Sequence, residues 1–283
     1  MFNYISIVTR IQQKLTALPE CIYNPIVDGT IRRRIHKHAD ASLEQTEDLI
    51  AIEKKLKVSV NGKEILRLYC TPNMVKELVA GLVMTEGIIR GNWCSDRMSI
   101  VYGDEISVDI PAEGEVMAEG VIATSGCIGG VTFERKEPFE IVKDTTRVDR
   151  DSLRYIFNDF QARSELYKLT GCVHSAALSD GRVILSFAED IGRHNAVDKV
   201  IGYALLENIP FSGKIMLASG RISSEISSKC CRWGIPILAT RTAPTSLAVE
   251  IAEKCGVTIV GFVRGNRFNV YTHPERIAGK IQE

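Results

Sequence analysis

The second half of the chain constrains the fold most, because strand-like and helix-like segments alternate there without interruption. Cys172–Leu178 and Val183–Phe187 flank Ser179-Asp180-Gly181, which predicts a β-hairpin. Asn195–Glu207 has helical period, Lys214–Ala218 reads as a buried strand, and Ser223–Trp233 reads as a helix ended by Gly234. Ile235–Ala239 is again a strand. Pro244–Cys255 is a helix with proline in its first turn and Gly256 just past its end, and Val257–Val263 is a strand. A hairpin followed by βαβαβ can bury its apolar strands in a sheet covered by helices, so the order predicts an α/β fold. A helix over Asp151–Leu169 precedes it.

The first 120 residues have another character. Leu49–Val60 alternates loosely, Asn61-Gly62 is a hairpin turn signal, and Lys63–Tyr69 reads as the return strand. Thr71-Pro72-Asn73 opens a helix through Met84, closed by Gly87–Gly91. Short strands follow within Ser99–Ile110, and Glu113–Gly120 is rich in turn formers. The expected organisation is an N-terminal α+β domain over 1–125, a mobile cysteine loop and linker over 126–140, and an α/β domain over 141–283.

Thirty-five basic and 35 acidic residues cancel, which argues against wholesale nucleic-acid binding. The local basic run Arg32–His38 reads as a solvated loop, with an anionic partner as the alternative. No apolar run reaches the roughly 18 residues of a membrane span, and Met1–Lys14 lacks the order of a signal peptide, so a cytoplasmic protein without a membrane partner is expected. Eight cysteines at irregular spacing do not make a disulfide scaffold. Cys230, Cys231 and Cys255 fall on helices and read as core.

Several chemistries are excluded by motif. No Gly-x-Gly occurs, no Gly-Lys is followed by Ser or Thr, and neither His-Glu-x-x-His nor Gly-x-Ser-x-Gly is present. His273-Pro274-Glu275 lacks the Pro-Cys-x-x-Cys partner of a zinc deaminase, so no metal site is expected. Three stretches remain. In Ala123–Gly130, glycines 126, 129 and 130 remove steric cover around Cys127, and a thiol that can be approached closely suits sulfur transfer. Its alternative is a plain glycine-rich turn. Glu189–Lys199 gathers acids, Arg193, His194 and Asn195 where a strand becomes a helix, a place where open α/β sheets bind ligands. Its alternative is a helix capped by Asp190 or Asn195. The third group follows successive strands: Ser219-Gly220-Arg221, Arg241–Thr245 and Arg264–Arg267. If those strands are parallel, four arginines and several helix N-termini share one sheet edge, which suits a phosphate or pyrophosphate. His174 reads as a buried strand histidine.

Four longer words carry a likeness: Glu-Asp-Ile-Gly-Arg-His-Asn-Ala-Val-Asp-Lys from 189, Ser-Gly-Arg-Ile-Ser-Ser-Glu from 219, Ala-Pro-Thr-Ser-Leu-Ala from 243, and Gly-Phe-Val-Arg-Gly-Asn-Arg-Phe-Asn-Val-Tyr-Thr-His-Pro-Glu-Arg from 261. With weaker matches through Glu77–Ile89 and the Cys127 loop, the chain from about Ile31 onward resembles the formate dehydrogenase accessory sulfurtransferases, the FdhD family. The resemblance implies a cytidine-deaminase-like three-layer C-terminal domain beside the smaller N-terminal α+β domain. It implies a homodimeric sulfurtransferase that takes sulfur as a persulfide from a cysteine desulfurase. The sulfur passes to a molybdenum or tungsten bis-pyranopterin guanine dinucleotide cofactor destined for formate dehydrogenase. The cofactor is bound as substrate, and a guanine nucleotide is expected to mimic it.

By the same resemblance Cys127 is the persulfide carrier, and Phe262, Val263, Arg264, Gly265, Asn266 and Arg267 form a stretch assigned to cofactor binding. Arg193 and His194 join them from their position alone. One departure matters. The family loop carries Cys-x-x-Cys, whereas here Cys127 is followed by Gly130 at the second position. Sulfur cannot then be expelled by a disulfide within the loop. A cofactor-binding chaperone without covalent transfer, and a nucleotide-modifying enzyme on a deaminase-like scaffold, are the alternatives.

Overall fold

The computed structural model describes residues 29–39, 42–116, 121–123, 131–133 and 141–278; Cys127 and the rest of its loop lie outside them. The chain forms two compact units, Met1–Ile50 and Ala51–Glu283. In the first, β1 (Thr30–Ala39) and β2 (Ser42–Ala51) pair as a two-stranded sheet. The basic run is therefore strand rather than loop. Opposite charge on the facing strand favours this pairing, and Arg32 meets Glu47 at 3.1 Å.

The second unit begins with a hairpin of β3 (Lys54–Val60) and β4 (Lys63–Cys70), turned at Asn61-Gly62 with φ of 51° and 76°. Both residues occupy the left-handed region that a two-residue hairpin turn requires. Then come α1 (Val75–Thr85), β5 (Ile89–Trp93), β6 (Ser99–Val101), β7 (Ile106–Ile110) and β8 (Ala112–Val116). A sheet of order β4-β3-β7-β6 packs its apolar face on Leu78, Val79, Leu82 and Val83 of α1. β5 and β8 pair separately, so two stretches read as helix end and turn are strands in part. Cross-strand pairing outweighs their glycines here.

After the short pair β9 (Val121–Ala123) and β10 (Val131–Phe133) come β11 (Val148–Asp149), α2 (Arg150–Ala162), α3 (Glu165–Thr170), β12 (His174–Ser179) and β13 (Ile184–Asp190). The chain continues through α4 (Arg193–Leu206), β14 (Ile215–Ala218), α5 (Ser224–Arg232), β15 (Ile237–Thr240) and α6 (Ser246–Cys255). It ends in β16 (Thr258–Arg264), β17 (Arg267–Val270) and β18 (Ile277–Ala278). β12–β17 form one sheet of order β13-β12-β14-β15-β16-β17, with β14, β15 and β16 parallel. Its strands alternate between two cores. Ala176, Leu178, Met216, Leu238 and Ile259 face α4, α5 and α6, while Ala177, Leu217, Ala239 and Val260 face α2. The result is three layers, helix–sheet–helix, as the segment order predicts.

Three local expectations change. The helix expected over Asp151–Leu169 breaks at Arg163-Ser164, because the amides of Leu166 and Tyr167 turn to the Glu189 carboxylate at 2.9 and 3.0 Å. Thr71 and Asn73 do not cap α1. Their side chains bind the fully buried Lys199 ammonium at 2.7 and 2.8 Å, and α1 starts after Met74. Pro244 precedes α6 rather than lying in its first turn, where Thr245 is the N-cap.

The boundary expected near residue 125 falls between the two sheets, yet both belong to one compact unit. The join is a helix crossing. A Cβ on Gly81 of α1 would lie 1.9 Å from the Asp198 carbonyl oxygen, and one on Gly202 of α4 would lie 1.8 Å from the Glu77 carbonyl oxygen. The backbones therefore touch, which only glycine permits. Beside the crossing, Lys229 of α5 meets Glu86 and Asp198 at 2.8 Å each, and all three are buried. Among the described residues no helix is long and apolar enough to cross a membrane.

Candidate functional site: a cationic cleft at the sheet edge

The C-terminal ends of β14, β15 and β16 share one edge of the large sheet. β12 runs antiparallel to β14, so its first residue, His174, arrives at that same edge opposite Asp190. A cavity of about 590 Å³ opens there between the edge and α3. Lys168, His174, Arg241 and Arg264 line it together with Ser164, Ser175, Ser219, Thr242 and Cys172; no described carboxylate does.

The walls are held by hydroxyl and backbone bonds. Ser219 Oγ accepts from the Ser175 amide at 2.9 Å and lies 3.5 Å from His174 Nδ1, while the Ser164 and Ser175 hydroxyls meet at 2.8 Å. Thr240 Oγ1 donates to the Gly220 carbonyl at 2.6 Å, and the Phe262 amide donates to the Thr242 carbonyl at 2.8 Å. These bonds fix the three post-strand loops relative to one another.

Arg193 is the unusual member. Its side chain is 7% exposed, and its Nε has no hydrogen-bond partner among the described residues. It stacks on Gly220, where an added Cβ would sit 3.2 Å from both Arg193 Cβ and His174 Nδ1. Burying a guanidinium nitrogen without a hydrogen-bond partner costs free energy, and an acceptor at this position would offset that cost. His174 reports the same field. Burial lowers its pKa below the ordinary histidine value, and the charges of Arg193, His194 and Arg221 lower it further.

Much of the polar crowding at 189–199 is structural. Glu189 holds the start of α3. Asp190 binds Lys199 at 2.7 Å, the Thr71 hydroxyl at 3.0 Å, the Gly192 amide at 2.8 Å and the Asn195 amide group at 2.9 Å. The N-cap is Gly192, not Asp190 or Asn195. His194 turns toward α5, where Nε2 meets the Ser223 hydroxyl at 3.0 Å and Glu225 at 3.7 Å. Burial lowers its pKa, with Glu225 acting in the opposite direction.

The histidines set a pH dependence. Each binds fewer protons folded than unfolded, so their contribution is complete above about pH 6.5 and is lost as the pH falls through the lowered folded values. The urea midpoint of the wild type should therefore drop more than that of His194→Gln between about pH 7.5 and about pH 5.5. Parallel curves for the two proteins would remove His194 from the account.

A cationic cleft at strand ends narrows the chemistry without distinguishing one family from another. The model of the FdhD/NarQ family matches residues 51–278. This chain belongs to the FdhD/NarQ family. It is 37% identical over 253 residues to the sulfur carrier protein FdhD of Bacillus pumilus, covering 87% of this chain and 97% of that one. The sulfur carrier protein FdhD of Sulfolobus acidocaldarius is also 37% identical, over 86% of this chain and 97% of its own. The crystal structure of a protein assigned as a formate dehydrogenase accessory protein from Desulfotalea psychrophila matches with a TM-score of 0.73 at 27% identity. That match covers 88% of this chain and all of the other.

Within this FdhD/NarQ family member the stretch Phe262–Arg267 divides. Arg264 lines the cleft, its Nε donating to the Arg241 carbonyl at 3.4 Å and its guanidinium 6.0 Å from the Phe262 ring. Phe262 supports it from a left-handed backbone, φ 55°, and Val263 is buried in the core. Gly265 and Asn266 form the turn into β17 and are bound by Arg154 of α2 through the Gly265 carbonyl and the Asn266 side chain. Arg267 faces Arg264 across that hairpin and does not line the cavity. Lys168, inside a helix expected to be unbroken, and Cys172, whose exposure no local pattern signals, join the cleft wall unforeseen.

Proposed function

We propose that this chain is a sulfur carrier that takes sulfur as a persulfide from a cysteine desulfurase. It delivers that sulfur to a molybdenum or tungsten bis-pyranopterin guanine dinucleotide cofactor needed by formate dehydrogenase. Its relatives are named sulfur carrier proteins, and one structural neighbour is assigned as a formate dehydrogenase accessory protein. The observation that carries the binding half is the buried Arg193, whose Nε has no partner among the described residues, beside a cavity lined by Lys168, Arg241 and Arg264. A dinucleotide substrate carries pyrophosphate, whose oxygens suit forked guanidinium donors.

In this reading Cys127 is the carrier. Its thiolate attacks the outer sulfur of the donor persulfide, the donor leaves as a thiolate, and Cys127 holds the sulfane sulfur. Arg193, Arg241 and Arg264 hold the phosphates of the incoming cofactor. The protein acts in the cytoplasm as a homodimer. A guanine nucleotide such as GDP occupies the same cleft, and its binding raises the His174 pKa by supplying negative charge.

The test loads the protein with a cysteine desulfurase and cysteine and maps persulfides by non-reducing mass spectrometry, wild type beside Cys127→Ser. One added sulfur on the Cys127 peptide, absent from the variant, is expected, together with loss of formate dehydrogenase maturation in cells carrying the variant. An uncharged Cys127 beside a donor that charges a control protein would overturn the covalent step. Maturation supported by Cys127→Ser would make the protein a cofactor-binding chaperone.

A further inference from the structure

We propose that Cys172 is a second sulfur-bearing thiol, placed inside the cleft. The inference rests on the sulfur-carrier reading and adds a residue to it. Six cysteines fall among the described residues, and four of them, Cys70, Cys230, Cys231 and Cys255, are buried. Burial raises the Cys70 and Cys230 thiols to about 12 and pushes Cys231 and Cys255 up as well, so none of the four is a ready nucleophile. Cys94 and Cys172 are exposed. Of these two, Cys172 lies in the wall of the cationic cavity, two residues before His174.

Independent features of that wall point to an anionic visitor. Lys168, Arg241 and Arg264 bring positive charge to a wall that no described carboxylate lines, and the adjacent Arg193 Nε is buried without a partner among the described residues. A charged cleft with low-dielectric walls concentrates ions of opposite sign. Persulfides and polysulfides are largely anionic near neutral pH, as is a pyrophosphate-bearing cofactor. Both sulfur donor and sulfur acceptor are therefore drawn to the one exposed described thiol in this cavity. The segment 123–130 contains a single cysteine, so a relay between two thiols needs the second from elsewhere in the chain.

The step is an exchange without net oxidation. The Cys172 thiolate attacks the outer sulfur of a persulfide, R–S–SH. The donor S–S bond breaks, a Cys172–S–SH bond forms, and R–S⁻ leaves with the electron pair. The donor is a protein persulfide or a small one. The sulfane sulfur is then held within reach of whatever the arginines bind.

The tryptic peptide 169–182 contains Cys172 as its only cysteine, and peptide 91–97 contains only Cys94. The full-length protein is treated anaerobically with inorganic tetrasulfide and sampled over time for sulfane addition at both peptides. Cys172 is expected to charge about tenfold faster than Cys94, with excess inorganic pyrophosphate suppressing that advantage. Equal rates, or rates indifferent to pyrophosphate, overturn the proposal. The desulfurase experiment then separates it from the parent reading. Sulfur on Cys127 and none on Cys172 leaves the carrier function standing and removes this inference. Sulfur on neither removes both. Sulfur on Cys172 that disappears in Cys127→Ser makes Cys172 the downstream thiol, and sulfur that persists there makes it an independent acceptor; either supports the inference.

Discussion

Gly202→Ala should strongly destabilise the unit Ala51–Glu283. The new methyl carbon would stand 1.8 Å from the Glu77 carbonyl oxygen and 2.7 Å from the Gly81 amide nitrogen, both backbone atoms with no rotamer to yield. The helices would have to separate by more than an ångström along a crossing packed on both sides. Overpacking costs about 1–3 kcal/mol where side chains can adjust, and here a rigid backbone opposes, so a loss of at least about 3 kcal/mol is expected. Gly103→Ala is the control, since its nearest obstacle is the Glu105 carbonyl oxygen at 3.5 Å. Urea unfolding of the two variants checks the contrast. A Gly202→Ala midpoint equal to the wild type would mean that the helices are not in backbone contact. The effect reaches function as well, because α4 carries Arg193 at its first position and the crossing fixes where that residue stands.

The second large effect belongs to Lys229. It is buried between Asp198 and Glu86, and each carboxylate meets its ammonium at 2.8 Å. Those two neighbours raise its pKa against the burial that lowers it, so the lysine stays charged. Burial pushes the Asp198 carboxyl up to about 6, although Lys229 opposes the shift. Lys229→Met keeps most of the volume and removes the charge, leaving two buried carboxylates facing each other. Breaking a buried pair in this way costs about 3–5 kcal/mol. Without the lysine the carboxyls favour the protonated form more strongly in the folded chain. The penalty should therefore shrink as the pH falls toward about 5 and grow above about 7. Adding Asp198→Asn should recover part of the loss. Denaturation of the single and double variants at both pH values decides it, and a penalty independent of pH would place the cost in packing instead.

Both predictions concern residues that a sequence reader passes over. Gly81, Gly202 and Lys229 look like a small residue on each of two helices and a surface charge on a third. The reading of Glu189–Asn195 as a crowded site was legible as chemistry but not as a division of labour. Glu189 and Asp190 turn out to hold α3, Thr71 and Lys199, while Arg193 is left beside the cleft with its Nε unpaired among the described residues. The arginines after successive strands were placed on one edge by the order of segments alone. Yet Arg241 and Arg264 reach the cavity while Arg267 leaves it on an unforeseen return strand.

The difference has a physical cause. Periodicity, turn residues and segment order are local, and they determined the helix–sheet–helix layering, the Asn61-Gly62 hairpin and the sheet edge that carries the post-strand loops. They also carried the long words that mark the family. What a side chain does once buried depends on which distant group neutralises it, and that is settled only when the chain closes. Contacts between residues more than a hundred positions apart tie Asp190 to Thr71 and Lys229 to Glu86. The same closure packs α1 against α4 and brings Cys172 and Lys168 to the cleft wall. The tertiary structure alone decided which charges are spent on holding the fold and which, like Arg193 Nε, stay without a partner among the described residues.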